Sequence, residues 1–503
     1  MSAQAPRLAA REEASCSALQ QLHARSRCTV HLQCMQLEPA ESSELQALVA
    51  PTEGKAPAQG GVPAEMDKTL LDASTEVGGA GAAYAPSVRV DGSSASIDAL
   101  CMACADTSCD FKPMTLPRRP LGPSDVLIEM KYCGVCHSDL HHAAGHVNVG
   151  PMSAKYPCVP GHELAGVCVA VGSACTKIKV GMKVGVGCLV GGCLNCSACR
   201  AGEEQKCLKG TPTYGGDVPT VCNDTAAGMA ASPTGYTLGG YTTKMVVNEH
   251  YGIIIPDSYP LEAAGPVMCA GITMYDPLIK LIAKGVGKRV GIAGLGGLGV
   301  MGIKLAKALG CTVTVISRSD AKKGFATSLG ADSYLATGTP GELAAARNTL
   351  DIILNTIPVY HDYDQYTTLL AKGGKQVILG LHKGIVGAGI MGAVSGCCGG
   401  KLMASGIGGI KNTQAVVDLC AENNIVPELK IMPCEKLNEI YSMLDAGNDD
   451  GVRMVLDISN TLNAGTEAKC KDPAPRLGNP SGQISICGGL CEFFRLLCCC
   501  KCL

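Results

Sequence analysis

The chain has 503 residues, 47% of them hydrophobic and 17% charged, and its 42 Lys+Arg against 44 Asp+Glu leave a net charge of −2. That length exceeds one compact domain, the apolar content excludes a wholly disordered chain, and the balanced charge offers a nucleic-acid backbone no broad cationic field, so no nucleic-acid partner is expected. No apolar run reaches the roughly 18 to 20 residues that cross a bilayer and no basic-then-apolar signal opens the chain, so its 30 Cys point to metal ligation and free thiols ahead of an exported disulfide framework.

Residues 1–109 are rich in Ala, Gly and Ser, hold no period of 2 or 3.6, and read as a poorly ordered leader and linker. Arg7, Arg11, Arg25 and Arg27 among Ala and Ser suit an organelle leader, while Glu12 and Glu13 do not, so a cytoplasmic location leads. From Phe111 the short runs DVLIEMKY, LAGVCVAVG and VGVGCLVGG, divided by Gly and Pro, predict a β-rich domain over 110–269. Inside it, GVCHSDLH groups Cys136, Ser138, Asp139 and His141, PGHELAG holds His162 and Glu163, and MCAGIT holds Cys269. Two Cys and one His are a set that leaves one zinc position for an alcohol oxygen or water. Spacing alone does not join them, because each also reads as a packed thiol or a turn histidine.

Cys193, Cys196, Cys199 and Cys207 make C-x2-C-x2-C-x7-C, a tight loop able to place four thiolates around one tetrahedral Zn2+. With every position taken by a thiolate, that site is expected to be structural. Over 270–406 the texture becomes strand, glycine turn and helix in alternation, from KRVGIAG and LGVMGIKLAKAL to CTVTVIS, DIILNT and KQVILG, a parallel-sheet signature. Gly294, Gly296 and Gly299, with Leu298 in the same turn, follow a strand and open a helix, where glycines let the backbone approach a pyrophosphate at the positive helix end. The second strand ends on Ser317-Arg318-Ser319 with Lys322 nearby, where an acidic residue would bind an NAD ribose, and this favours NADP.

Residues 407–462 return to mixed texture through TQAVVDLCAE, LNEIYSML and RMVLDI, so the parallel-sheet domain interrupts the first one. Residues 463–503 form a Cys-rich tail ending ISICGGLCEFFRLLCCCKCL. Its thiols beside an apolar, weakly basic stretch suit S-acylation and membrane tethering; a loose end with free thiols is the plainer alternative.

YCGVCHSDLH, YPCVPGHELAG, the four-cysteine loop, CAGITMYDPL, VGIAGLGGLG, KLMASGIGGIKNTQ and RMVLDISNTL stand in one order that resembles the zinc-dependent medium-chain alcohol dehydrogenases, in the branch of cinnamyl alcohol dehydrogenases and broad-specificity aldehyde reductases. The resemblance covers about residues 110 to 462. It implies an α/β fold in which a GroES-like β-rich catalytic domain carries an inserted Rossmann doubly wound parallel-sheet domain. It further implies that Cys136, His162 and Cys269 hold a catalytic zinc with Glu163 beside it, and that Asp139 orients His162. Ser138 and His141 become a proton relay from the substrate oxygen, and Thr273 lies near the nicotinamide. Two Zn2+ per chain, NADP(H), a medium-chain or aromatic aldehyde or alcohol, and a homodimer joined near 400–406 complete the expectation. His137 and Cys133 are bystanders in it. Pro212 stands where lignin-pathway members often carry an aromatic residue, so substrate range is left open. A non-enzymatic zinc or redox-binding protein and a polyol dehydrogenase are the rivals. The intact Ser138, His141 and glycine turn argue against the first, and Ser317 and Cys269 against the second.

Overall fold

The computed structural model describes residues 96–146, 153–220, 228, 230–359, 361–380, 400–447, 450–470 and 477. The first 95 residues and the tail cysteines Cys487 to Cys502 lie outside the described residues, and with them the leader and tethering expectations.

In chain order, β1 (Ile97–Ala103) and β2 (Lys112–Arg118) pair antiparallel, with Ile97 opposite Arg118 and Ala103 opposite Lys112. β3 (Asp125–Gly134) shows the period of a half-buried strand, sending Val126, Ile128 and Met130 inward while Glu129 faces out. Helix α1 (His137–Ala143) starts on Cys136, whose N–H is taken by the Asp139 carboxylate reaching back at 2.8 Å. β4 (Leu164–Val171), β5 (Lys183–Val186), β6 (Leu189–Gly191), β7 (Thr211–Pro212), β8 (Lys244–Asn248) and β9 (Ile253–Ile254) follow.

Then α2 (Leu261–Pro266) runs through a π-helical turn (Val267–Gly271) into α3 (Ile272–Ala283). Pro266 immediately precedes the widened turn, as expected of a residue that brings no N–H to the helical ladder. β10 (Arg289–Ala293), α4 (Gly297–Ala308), β11 (Thr312–Ser317), α5 (Lys323–Ser328), β12 (Ser333–Ala336), β13 (Leu350–Asn355), β14 (Leu370–Ile378) and β15 (Leu402–Ala404) make the alternating region. The chain ends its ordered course in α6 (Ile410–Glu422), β16 (Leu429–Pro433), α7 (Leu437–Asp445) and β17 (Arg453–Asp457).

Two sheets organise these elements. Strands from both sides of the alternating region build a seven-stranded sheet in the order β16-β17-β3-β4-β5-β9, with β8 also on β3. The six-stranded sheet β12-β11-β10-β13-β14-β15 is parallel throughout, the doubly wound order in which the first strand lies at the centre. Both its faces are covered: Val290, Ile292 and Val315 pack under α3, α4 and α6, while Ala293, Ile316 and Ile353 pack against Leu350, Tyr366 and Leu370. This is the GroES-like and Rossmann pairing expected of the sequence.

Three boundaries move. The leader is expected to run to 109, yet β1 lies within it and buries Ala99, Cys101, Met102 and Ala103, with Cys104 and Cys109 buried after it. Small apolar residues and cysteines supply the core there, a composition that reads as linker. Grouping 407–462 with the catalytic domain is corrected at α6, whose Val416, Val417 and Cys420 join the core that covers the parallel sheet. Residues beyond 462 are not all tail, since Thr466 is fully buried and Cys470 packs on the core that holds Leu437, Met454 and Leu456. The 23-residue rod Leu261–Ala283 is apolar and long enough to cross a bilayer, but Ala263, Val267, Met268, Met274 and Leu278 are buried among core side chains, which accounts for its apolarity.

Candidate active site and structural metal site

Four side chains from three elements converge at one point. Cys136 precedes α1, His162 and Glu163 precede β4, and Cys269 lies in the π turn, where a widened helix is common at functional positions. Their donor atoms all lie within 4.8 Å of one another and all four residues are buried. His162 Nε2 is 3.0 Å from Cys269 Sγ, and the two sulfurs are 3.9 Å apart. The Cys269 thiol beside Cys136 holds the Cys136 thiol well below its usual range, and Cys269 rises correspondingly.

Asp139, 0% exposed, is the hub of this arrangement. Its Oδ1 accepts from His162 Nδ1 at 2.9 Å and from the Gly161 N–H at 3.1 Å; its Oδ2 accepts from the Cys136 N–H and, at 3.0 Å, from the Tyr241 hydroxyl. Nδ1 of His162 is thereby committed and Nε2 faces the sulfurs, the carboxylate–histidine arrangement of metal sites. Glu163 is also 0% exposed, and neither of its oxygens has a hydrogen-bond partner. Burial pushes its carboxyl up to about 7 against the lowering pull of Arg453, whose Nη2 is 3.6 Å away. Gly134 leaves the space Glu163 occupies, because a Cβ there would collide with the carboxylate. A buried carboxylate lacking donors beside two thiols and an imidazole fits a cation, and the donor types suit zinc.

The four-cysteine loop closes on itself. Cys193 Sγ is 4.0 Å from Cys199 and 3.5 Å from Cys207, and Cys196 is 3.6 Å from Cys199. A tetrahedron of Zn–S bonds near 2.3 Å has edges of about 3.8 Å, so these spacings fit one ion. The Cys196 and Lys209 N–H groups point at the Cys193 and Cys207 sulfurs at 3.3 and 3.4 Å. Backbone N–H groups of Asn195 and Cys196 pull the Cys193 thiol down to about 6.

At the glycine turn, Gly294 has φ +91° and leaves β10, and a Cβ at Gly299 would strike the Gly294 carbonyl, so only glycine lets α4 start this close to the strand. Gly296 faces open space within 4 Å, the vacancy a pyrophosphate needs at a helix N-terminus. Leu298 packs inward from the first turn of α4. Ser317 ends β11, Arg318 after it is exposed, and Lys322 Nζ reaches the Leu295 carbonyl at 3.2 Å, which brings a basic side chain over the turn. Thr273, 8% exposed, sits one turn after Cys269.

Ser138 Oγ is 3.8 Å from Cys136 Sγ, and His141 Nδ1 lies 3.1 Å from His146 Nδ1. His137 is turned away to the Leu444 carbonyl, 2.9 Å distant, and Cys133 is buried in the core. Four residues escape the sequence reading. Arg453 faces Glu163 and the Val135 carbonyl, and a Cβ at Gly297 would meet its guanidinium at 3.6 Å, so one side chain spans both halves of the site. Tyr241 supports Asp139, the Tyr214 ring lies tilted at 5.7 Å from that of His162, and the Cys188 thiol donates to the Met268 carbonyl next to Cys269 at 3.8 Å. A buried cation at the start of an apolar strand was the available signal for Arg453; the others carry none.

Family comparison places an alcohol dehydrogenase GroES-like domain at residues 122–257 and a zinc-binding dehydrogenase domain at 297–422. The aldehyde reductase YahK of Escherichia coli is 41% identical over 352 residues, covering 69% of this chain and 94% of its own. A probable cinnamyl alcohol dehydrogenase of Arabidopsis thaliana is 38% identical over 371 residues, covering 73% and 96%. The solved cinnamyl alcohol dehydrogenase of Helicobacter pylori, complexed with NADP(H), superposes with TM-score 0.61 at 34% identity and covers 73% of this chain and all of its own.

Proposed function

The chain belongs to the zinc-binding alcohol dehydrogenases with a GroES-like domain and is an NADP(H)-dependent alcohol dehydrogenase or aldehyde reductase; on that premise we propose that it acts on medium-chain or aromatic aldehydes and alcohols at Cys136, His162 and Cys269. The observation that carries the reading is the buried cluster of four donors in which the Glu163 carboxylate lacks any hydrogen bond.

When bound, zinc supplies a Lewis acid for the carbonyl oxygen and the reduced nicotinamide supplies the hydride. The chain's part is to hold and to protonate. Asp139 fixes the His162 ring and the start of α1 together, so two ligands keep their spacing. Ser138 Oγ donates the hydrogen bond to the reacting oxygen and His141 receives the relay's demand for a proton, with His146 beside it. Arg453 keeps Glu163 from drifting free when the carboxylate is not engaged at the metal. Cys193, Cys196, Cys199 and Cys207 staple their lobe and do no chemistry.

Arg318, with Ser317 and Lys322, receives the 2′-phosphate of NADP(H). Replacing Arg318 by Ala should weaken NADPH by roughly ten- to a hundred-fold, about 1.5 to 3 kcal/mol for a lost charge-assisted contact, and leave NADH unchanged. Titration of both cofactors by nicotinamide fluorescence, with turnover on aliphatic, aromatic and polyol-derived carbonyls, tests it; equal losses for NADPH and NADH defeat the assignment. β15 pairs only with β14 among the described residues, so its free edge is where a second copy would add. A homodimer in sedimentation that dissociates on Met403→Pro supports this, and a monomer in the unaltered chain removes it. The cytosol is the proposed location.

A further inference from the structure

Three thiols outside the active site meet where β1 ends. Cys104 and Cys158 form an isolated antiparallel bridge in which each N–H donates to the other's carbonyl, at 3.0 and 2.8 Å. Such a doubly bonded pair places its Cα atoms about 5.5 Å apart, within the span a disulfide requires. Cys109 returns across a short loop into the same buried cluster as Cys104 and Cys158, and its thiol and that of Cys158 are the groups that act most strongly on the Cys104 sulfur. There Cys109 adopts φ +56°, a left-handed conformation that disfavours a residue with a Cβ. All three are buried, Cys158 at 3% exposure, and the half-buried Tyr156 two residues before it donates its hydroxyl to the Ala143 carbonyl.

We propose that Cys104, Cys158 and Cys109 are a peroxide-responsive thiol–disulfide site, in which Cys104 forms a disulfide with Cys158 and can exchange it to Cys109. Polarisation of the cluster favours Cys104 as the attacking group: the Cys109 thiol, then that of Cys158, holds it down to about 5 against burial, and both donors are pushed up. The Cys104 sulfur attacks a peroxide oxygen, the O–O bond breaks, and the departing hydroxide takes a proton to leave as water. The sulfur of Cys158 then attacks the Cys104 sulfenic acid, the S–O bond breaks, and a second water leaves with the Cys158 proton. Two thiols lose two electrons and two protons, and one hydrogen peroxide accepts both. Attack of Cys109 on the Cys104 sulfur moves the bond and returns Cys158 to a thiol, and an external dithiol reduces either form.

The segment from Cys158 through His162 is the approach to β4, so the bond clamps the end of β1 to the segment that holds His162. The enclosed loop runs from 104 to 158, long enough that closing it should raise Tm by several degrees. The test treats the zinc-loaded full chain with a small molar excess of hydrogen peroxide, alkylates it in denaturant, and maps thiols by mass spectrometry without reduction. A Cys104–Cys158 or Cys104–Cys109 linkage, reversed by dithiothreitol and accompanied by the higher Tm, is expected. Cys158→Ala should leave only the Cys104–Cys109 form, and Cys104→Ser should give neither. Recovery of Cys104 and Cys158 as alkylated thiols at doses that already oxidise Cys193 to Cys207 overturns the proposal, and that reading needs no variant to fold.

Discussion

The two metal clusters are built on opposite plans. Cys193, Cys196, Cys199 and Cys207 come from one loop, two of them half-exposed, and the N–H groups that steady their sulfurs belong to the same few residues. Cys136 and Cys269 are 133 positions apart, meet only when α1, β4 and the π turn are in place, and are steadied by Asp139 and Tyr241 from elsewhere. The local cluster spends all four donors on the ion and leaves nothing over. The dispersed one keeps Glu163, Ser138 and Arg453 beside its sulfurs and imidazole, and those further polar groups are what makes chemistry available. Closure makes a site stable; incompleteness makes it reactive.

That contrast can be broken by exchanging the consequences of two substitutions. His162→Ala should reduce turnover by at least about three orders of magnitude, since a Lewis acid held by two remaining ligands is lost, while NADPH still binds. Steady-state kinetics with a fluorescence titration measures both, and activity near that of the unaltered chain would remove the mechanism. Cys199→Ser should instead lower stability by several kcal/mol and release one zinc per chain, because a structural site's binding energy is folding energy. Calorimetry with metal analysis measures this, and an unchanged Tm with zinc retained would count against the division.

A smaller effect sharpens the picture at the lobe's anchor. Glu204, 2% exposed and between Cys199 and Cys207, accepts from His250 Nε2 and from the Ile410 N–H at the start of α6, both at 2.9 Å. Burial works to raise its carboxyl, but those two bonds win and hold it below its ordinary 4.5. A depressed folded value means the contribution is complete above the unfolded value and is lost as pH falls through the folded one. Glu204→Gln should therefore cost about 1 to 3 kcal/mol near pH 7 and progressively less below about pH 4.5. Chemical denaturation across that range reads the difference, and a pH-independent gap would deny the charge a role.

The same contrast explains what the sequence discloses. A four-cysteine loop is legible because its spacing is its geometry, and GLGGLG because a strand and a helix flank it. Cys136, His162 and Cys269 could be joined only through a resemblance, since their distance in the fold has no image in their spacing. Arg453 and Tyr241 show no role in the sequence, because a buried cation or hydroxyl finds its partner only once distant segments lie side by side. β1 hid in an Ala- and Ser-rich approach: ALCMA buries well without the Val or Ile that marks a strand.

One uninterrupted rod, Leu261–Ala283, carries Cys269 in its π turn and, four residues later, the buried Thr273. Four residues of helix are about 6 Å, and a helix neither stretches nor twists cheaply over one turn. The spacing between Cys269 and Thr273 is thus set by a single stiff ruler. The rod packs into the core that covers the parallel sheet, so Cys269 is held by the same body as the glycine turn.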